Sequence, residues 1–402
     1  MSDLTYCTIL ATNYLPKALS LAESLAEHHP DAELVVLLID CANDSELPDI
    51  SHADLPGVRL VSTAFLGLPQ AQVDHLAMIY DLVEFATAIK PLAFKRVLET
   101  AEQVAYLDPD TYVTAPMEEL SKELDASDGG ILLTPHFLEP LPEGGPVAQG
   151  HLLTVGVYNL GFGAWDRRAL EFLDWWWARL KEECLFDYLS GLFVDQKWMD
   201  IGSVLYQARS LRHYGYNVSV VNLHERPIGA DSSGLVMLTT GEPLRLFHFH
   251  AFDPDNPTEL STRQTGSTSE LRSSSEAVDA LCREYADRVL RHRSALGDAP
   301  AYPYWTDSSG RRISRQLRRA YRLSSAGLED SALPSAFAAS DAEAFAAWRR
   351  RSWKKKSREL LGDAAKSARL ALPEEYGRLR SRFPKLASSM KGKLVGKSGI
   401  WG

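Results

Sequence analysis

Two aspartates, Asp108 and Asp110, follow an apolar run that ends at Leu107, and a single proline separates them. Carboxylates this close together can share a divalent cation, because Mg²⁺ and Mn²⁺ prefer oxygen ligands. Pro109 has no backbone N–H and stiffens the turn, which fixes the angle between the two side chains. A polar turn after a strand is the alternative interpretation, so the pair does not establish a site by itself.

Two histidines, His248 and His250, lie near the end of another apolar run, LRLFHFHAF. Side chains alternate along a strand, so the sequence predicts that both imidazoles lie on one face. A neutral imidazole is a suitable third ligand beside two carboxylates for Mn²⁺ or a similar ion. A lone strand histidine is more commonly a core residue, but the two aspartates favour a metal site formed by Asp108, Asp110 and His248.

Strand and helix patterns alternate over roughly the first 250 residues. Apolar runs at 4–12, 32–40 and 103–107 predict buried strands, and Asp40 and Asp108 stand at the ends of two of them. The segment 75–100 predicts a helix interrupted near Pro91. This alternation predicts an α/β domain with a mostly parallel sheet flanked by helices, in which ligands bind at the carboxyl ends of the strands.

The domain limits are predicted from composition. The stretch 253–270 is rich in Pro, Ser and Thr and is typical of a linker. The sequence therefore predicts a catalytic domain over residues 1–256 and a mostly helical C-terminal region over residues 257–402.

The net charge of −10 is distributed unevenly along the 402 residues. Residues 311–402 hold 22 Lys and Arg against 8 Asp and Glu, whereas the remainder holds 21 basic and 45 acidic residues. Within the tail, RRRSWKKKSR precedes leucines and alanines at helical spacing. A basic amphipathic helix of this kind can lie on an anionic membrane, and a solvated helix is the alternative. The acidic remainder disfavours nucleic acid as a partner.

The sequence contains no pattern typical of secretion or of a membrane span. The N-terminus has no basic region and enters a strand-then-helix pattern directly, and no apolar stretch is long enough to cross a bilayer. The four cysteines are far apart and form no metal-binding pair. We therefore expect a cytoplasmic protein, with peripheral contact at the inner face of the membrane through its basic tail.

Ordered motifs over residues 4–254 resemble those of GT-A glycosyltransferases. The segments are ILATNYLPKALSLAESL, TAIKPLAFKRV followed by AYLDPD, then VYNLGFGAW, FVDQKWMD and FHFHAFDP. They are most similar to the retaining family that includes glycogenin and bacterial lipopolysaccharide galactosyltransferases. The resemblance implies a Rossmann-like GT-A fold, Mn²⁺ or Mg²⁺ as cofactor, and sugar transfer from a nucleotide-sugar, most commonly a UDP-sugar. The implied acceptor is a glycan or lipid-linked glycan, as in the synthesis of bacterial surface polysaccharides.

The resemblance also implies individual roles. It places Thr12, Asn13 and Tyr14 at the base and ribose, and Lys90 and Asp108 at the diphosphate. It places Asn159 and Gly161 at the donor sugar, Asp195 at sugar hydroxyls and Gln196 near the reacting carbon. Each polar residue also has a structural alternative: Lys90 as a solvated helix lysine, Asp195 as a helix cap, and Asn159 as part of a turn.

The chain departs from the family after His248. The family continues with a glycine and then Lys-Pro-Trp, but here Phe249, His250 and Ala251 follow, so a lysine contact to the diphosphate is not supported. Two other functions remain open. A nucleotidyltransferase would also use a carboxylate-bound metal but usually has a glycine- and lysine-rich loop where this chain has ATNYLPKA. A non-catalytic protein that binds nucleotide-sugars or glycans is the second alternative.

Overall fold

The computed structural model describes residues 2–141, 150–232, 234–262, 275–325 and 333–352, together with positions 357, 361, 362, 364 and 367. The strands are β1 (Ser2–Leu10), β2 (Glu33–Leu38), β3 (Val58–Val61), β4 (Ala101–Leu107), β5 (Thr111–Val113), β6 (Ile131–Pro135), β7 (Tyr158–Asp166), β8 (Phe186–Asp187), β9 (Leu192–Phe193), β10 (Arg209–Ser210), β11 (Val218–Ser219), β12 (Ile228–Asp231), β13 (Gly234–Met237) and β14 (Leu246–His248). The α-helices are α1 (Leu15–His28), α2 (Gln70–Ile79), α3 (Leu82–Ala88), α4 (Lys90–Val97), α5 (Glu119–Asp125), α6 (His151–Val155), α7 (Leu170–Glu183), α8 (Met199–Leu205), α9 (Glu276–Leu296), α10 (Arg315–Ser325) and α11 (Ala342–Arg351).

The central sheet has seven strands in the order β10-β6-β7-β4-β1-β2-β3. The pairs β1–β2, β2–β3, β1–β4 and β6–β10 are parallel, and only β7 runs antiparallel to both of its neighbours. The prediction of an α/β fold with a mostly parallel sheet flanked by helices is therefore confirmed. Strand order reverses between β1 and β4, and the carboxyl ends of these two strands are where such sheets bind ligands.

A second, three-stranded sheet has the order β11-β14-β5. Strand β5 of this sheet begins directly after the turn that holds Asp108 and Asp110. Strand β14 pairs antiparallel with β5 and sets His248 opposite Thr111. This register brings a late part of the chain to the carboxyl end of β4.

Packing around the central sheet is strongly aromatic. Trp176 on α7 is fully buried and stacks on Phe172 of the same helix and on Trp165 of β7. Phe94 on α4 also stacks on Trp165, and its ring lies 6.3 Å from that of Trp176. Phe172, Trp176 and Leu180 are all buried and form the face of α7 that packs inward.

The region from residue 70 to residue 97 differs from the prediction. The expected helical segment with an interruption near Pro91 is present, since α3 and α4 are separated at Ile89, but a further break at residues 80–81 separates α2 from α3. Pro91 does not interrupt a helix. It lies in the first turn of α4, where a missing N–H costs no hydrogen bond.

The chain divides into two compact units. The first comprises residues 1–70, 82–186 and 192–303, and it extends past the boundary near residue 256 that the sequence predicts. Helix α9 belongs to this unit and packs along α1. The second unit comprises residues 71–81, 187–191 and 304–402. In it, buried Arg318 donates to the backbone carbonyls of Tyr80 and Tyr304, both at 2.6 Å.

Most of the predicted basic tail helix lies outside the described residues. Helix α11 ends at Arg351 with three arginines in its last turn. Residues 353–356, 358–360, 363, 365–366 and 368–402 are not described, so membrane contact through this segment stays a prediction. Among the described residues, no helix has both the length and the apolar character needed to cross a bilayer.

Candidate active site

Two carboxylates and one imidazole converge where β4 ends. The Nε2 atom of His248 lies 3.2 Å from Oδ1 of Asp110 and 3.7 Å from Oδ2 of Asp108. One potential ligand atom from each of the three residues lies within 4.8 Å of the others. Their side chains are 5%, 14% and 29% exposed for His248, Asp110 and Asp108, so one side remains open to solvent. The predicted grouping of these three residues is therefore confirmed.

Asp110 and His248 shift each other's pKa. Burial by itself would raise the pKa of Asp110, but its hydrogen bond to His248 and that imidazole's charge outweigh burial and lower the pKa to about 2. Burial would lower the pKa of His248, yet the two carboxylates raise it overall. A site that favours positive charge between two carboxylates, with an imidazole nitrogen as a further donor, fits a divalent cation.

Tyr106 and Asn217 support this cluster, and sequence reasoning missed both. The hydroxyl of Tyr106 donates to Oδ1 of Asp108 at 2.7 Å, and the amide oxygen of Asn217 lies 3.1 Å from Nδ1 of His248. Tyr106 could have been found from its place two residues before Asp108, near the end of the same apolar run. No local pattern marks Asn217.

Lys90 and Asp195 form a buried ion pair beside the cluster. Their Nζ and Oδ2 atoms are 2.9 Å apart, and both side chains are 3% exposed. Lys90 also donates to the carbonyl of Leu160 at 3.2 Å and lies 4.1 Å from the centre of the Tyr106 ring. Because its side chain is buried, Lys90 is not a solvated helix lysine. Asp195 does not cap a helix, since its side chain makes no capping hydrogen bond.

Gln196 is fixed by three contacts. Its amide nitrogen donates to the carbonyl of Val155 at 2.9 Å and to Nε2 of His136 at 3.2 Å, and its oxygen accepts from the N–H of Leu160 at 3.2 Å. Burial, followed by neighbouring positive charges, lowers the pKa of His136 to about 3, so this ring is neutral and can accept. His136 is a further residue that sequence reasoning missed.

Asn159 and Gly161 lie on β7, next to Asp108, because the carbonyl of Gly161 accepts from the Asp108 N–H at 2.9 Å. The side-chain oxygen of Asn159 accepts from the N–H of Gly161 at 3.0 Å, which is the local structural bond that the alternative predicted. Gly161 permits close approach of the imidazole. A Cβ at this position would lie 2.4 Å from Cε1 and Nδ1 of His248.

The segment after β1 carries the residues expected at the base and ribose. Thr12 donates from its N–H to both carboxylate oxygens of Asp40, at 3.0 and 2.9 Å, which ties the ends of β1 and β2 together. Asn13 and Tyr14 are exposed. Contact of these three residues with a nucleotide stays a prediction, as do the roles of Lys90, Asn159, Asp195 and Gln196 toward a donor.

The geometry around His250 differs from the prediction. Strand β14 ends at His248, so the alternation expected to carry both histidines on one strand face does not reach His250. A tight turn follows, in which the His250 N–H donates to the carbonyl of His248 at 2.9 Å. The two rings still lie close, with centres 5.8 Å apart.

No protein-family model matches the chain. An uncharacterized protein of Bacillus subtilis (strain 168), YfnF, is 26% identical over 306 residues, which cover 72% of this chain and 94% of YfnF.

Several solved structures that resemble the chain are glycosyltransferases. The galactosyltransferase LgtC, in complex with donor and acceptor sugar analogs, is 14% identical with a TM-score of 0.39, over 74% of this chain and 97% of LgtC. The glycosyltransferase GlyE of Streptococcus pneumoniae TIGR4 is 14% identical with a TM-score of 0.41, over 73% of this chain and 64% of GlyE. These identities and scores are low, so an activity for this chain has to be argued from its own site.

Replacing Lys90 by methionine should destabilise the fold strongly at neutral pH. The change leaves the Asp195 carboxylate buried without its partner, which typically costs about 3–5 kcal/mol. Burial already raises the pKa of Asp195, with Lys90 opposing, so loss of Lys90 raises that pKa further. A carboxyl group whose pKa is raised in the folded state destabilises that state as the pH rises through the raised pKa. The loss in free energy of unfolding caused by Lys90→Met should therefore be smaller at pH 5 than at pH 7.

The measurement is urea unfolding at both pH values. Lys95→Met is the matched control, because Lys95 pairs with exposed Asp174 and should lose at most about 1 kcal/mol. The double change Lys90→Met with Asp195→Leu should recover most of the stability. A deficit for Lys90→Met no larger than that of Lys95→Met at either pH would contradict the buried pair.

Proposed function

We propose that this chain is a metal-dependent glycosyltransferase that moves a sugar from a nucleotide-sugar to a glycan or lipid-linked glycan. The observation that carries the proposal is the convergence of Asp108, Asp110 and His248 at the switch point of the sheet, beside the buried pair of Lys90 and Asp195. A divalent ion held by the first three residues would act as a Lewis acid that stabilises a departing nucleoside diphosphate. Mn²⁺ is the expected ion and a UDP-sugar the expected donor.

The residues around the cluster suit the parts of such a donor. Asn13 and Tyr14 are exposed beside the end of β1, where the proposal places the base and ribose. Lys90 supplies positive charge near the cluster, although its pairing with Asp195 divides that charge between two partners. Asn159 retains its amide N–H groups for sugar hydroxyls, since its oxygen is the atom used by Gly161.

The state of Asp195 and Gln196 bears on stereochemistry. A general base needs a free carboxylate, whereas the Asp195 carboxylate is held by Lys90 in a buried ion pair. Gln196 is neutral and hydrogen-bonded on both of its amide atoms. Neither residue is suited to activate an acceptor hydroxyl from the face opposite the leaving group. This arrangement favours retention of the anomeric configuration.

The site does not contain the features that either alternative function would need. A nucleotidyltransferase would need a phosphate-binding loop after β1, where this chain has Thr12 bonded to Asp40. A non-catalytic binding protein has no need for three ligands gathered within 4.8 Å beside a buried ion pair. The carboxylate and imidazole cluster therefore favours catalysis.

The test of the proposal is incubation of the full chain with Mn²⁺ and a panel of nucleotide-sugars, with and without glycan acceptors. We expect nucleoside diphosphate to be released from at least one donor, and the anomeric proton of the product to have retained configuration by NMR. Release of pyrophosphate would favour the nucleotidyltransferase. Binding without turnover of any donor would favour the non-catalytic alternative, and an inverted product would contradict retention.

Asp110→Ala should abolish transfer, and Asp108→Ala should reduce it severely, because each change removes an oxygen ligand from the proposed metal site. Both proteins should remain folded, since the side chains lie at a strand end and are partly exposed. Transfer rates and circular dichroism measure the two effects. Asp31→Ala, at an exposed aspartate elsewhere, is the matched control and should be fully active. Unimpaired transfer by Asp110→Ala in chelator-treated buffer would exclude the metal mechanism.

A lipid-linked acceptor would bring the enzyme to an anionic membrane, and we propose that the basic tail makes that contact. Each Lys or Arg near such a surface contributes about 1 kcal/mol, and salt screens the contribution. The chain cut after Ser352 keeps α11, whose Phe345 is buried. Flotation with anionic liposomes at low salt should recover the full chain but not the shortened one. If both chains stay in the unbound fraction, the tail has no membrane role.

A further inference from the structure

Asn217 occupies an unusual position for a residue outside the predicted site. It lies directly before β11, is 1% exposed, and has a backbone φ of +52°, in the left-handed region. Asparagine tolerates this conformation better than most residues other than glycine. Its side chain is thus directed by the fold into the space between β6, β7 and β14.

The orientation of the Asn217 amide follows from its partners. Its nitrogen lies 2.9 Å from the carbonyl oxygen of Asn159 and 2.8 Å from the hydroxyl of Thr134. A backbone carbonyl can only accept, so the NH₂ group must lie on that side. The amide oxygen is therefore the atom 3.1 Å from Nδ1 of His248.

This orientation determines which nitrogen of His248 can bind a metal. An amide oxygen only accepts hydrogen bonds, so Nδ1 of His248 must carry the proton that faces it. In the neutral ring the lone pair then lies on Nε2, the atom that faces Asp110 at 3.2 Å and Asp108 at 3.7 Å. Gly161 packs against the same ring so closely that a Cβ would lie 2.4 Å from it. The ring is held by a hydrogen bond and by close packing.

We propose that Asn217 is a positioning residue for the metal centre: it holds His248 in the tautomer and orientation that present Nε2 beside Asp108 and Asp110. Through its NH₂ group it also joins His248 to the Asn159 carbonyl on β7. The role of this centre in catalysis rests on the proposed function, but the positioning itself concerns metal binding and can be measured without turnover.

The choice of variant follows from the backbone. Asn217→Gly removes the side chain and keeps the left-handed conformation, whereas alanine would add backbone strain. Asn222→Ala is the matched control. Asn222 is equally buried in the same segment, and its amide bonds the Ser219 N–H and the carbonyls of His136 and Asn217 but not His248.

The experiment measures Mn²⁺ affinity of the full chain by titration calorimetry, without donor or acceptor. Loss of a hydrogen-bonding partner of a metal-bound histidine typically weakens metal affinity by about 10–100-fold, and we expect that loss for Asn217→Gly. Asn222→Ala should bind within about twofold of the unmodified chain. Asn217→Asp keeps an acceptor facing Nδ1 and should lose less affinity than the glycine variant.

The outcomes are separable from those of the transfer assay. A folded Asn217→Gly that binds Mn²⁺ as tightly as the unmodified chain overturns the proposal, and so does an equal loss in Asn222→Ala. Failure of the unmodified chain to bind Mn²⁺ overturns it too. If Asn217→Gly does not fold, Thr134→Val removes one of the two acceptors that orient the amide and should weaken Mn²⁺ binding several-fold, with unchanged affinity counting against the proposal. Mn²⁺ binding without sugar transfer would contradict the proposed function alone.

Discussion

The antiparallel register of β5 and β14 is the constraint on which the candidate site depends. Pairing of Thr111 with His248 sets an imidazole from the last strand beside carboxylates from the turn after β4. The Phe249 N–H continues the pairing by donating to the Asp110 carbonyl at 2.8 Å. If this register slipped by one residue, the imidazole would point to the opposite face of the small sheet. The three ligands would then no longer meet.

Packing behind this sheet maintains the register. Phe249 stacks on Tyr285 of α9 with ring centres 3.8 Å apart and planes only 2° from parallel, and Tyr112 of β5 meets the same tyrosine edge-on. Stacked and edge-on aromatic pairs bury large surfaces and have definite geometry. Helix α9 therefore supports the strands that carry the metal ligands, although it lies beyond the region whose motifs resemble glycosyltransferases.

A second constraint is electrostatic. Two buried charges, Lys90 and Asp195, are stable only as a pair, and their pairing fixes the loop before α8 against the start of α4. The backbone of Leu160 links this pair to Gln196: its carbonyl accepts from Lys90 and its N–H donates to Gln196. Segments separated by more than a hundred residues are thus connected through the backbone of one residue of β7. The site is consequently a single hydrogen-bonded network and not a set of independent side chains.

The sequence by itself determined the α/β class, the strand ends at Asp40 and Asp108, and the grouping of Asp108 and Asp110 with His248. The first two features follow from local patterns, because apolar runs define strands and parallel strands gather their carboxyl ends at one edge. The grouping follows from ligand chemistry, because two carboxylates and an imidazole suit a divalent cation. Only the tertiary structure decided that Lys90 is buried against Asp195, that His136 contacts Gln196, and that Asn217 orients His248. These contacts join residues 31–105 positions apart. Their existence depends on strand register and helix packing, which the spacing of residues along the chain does not specify.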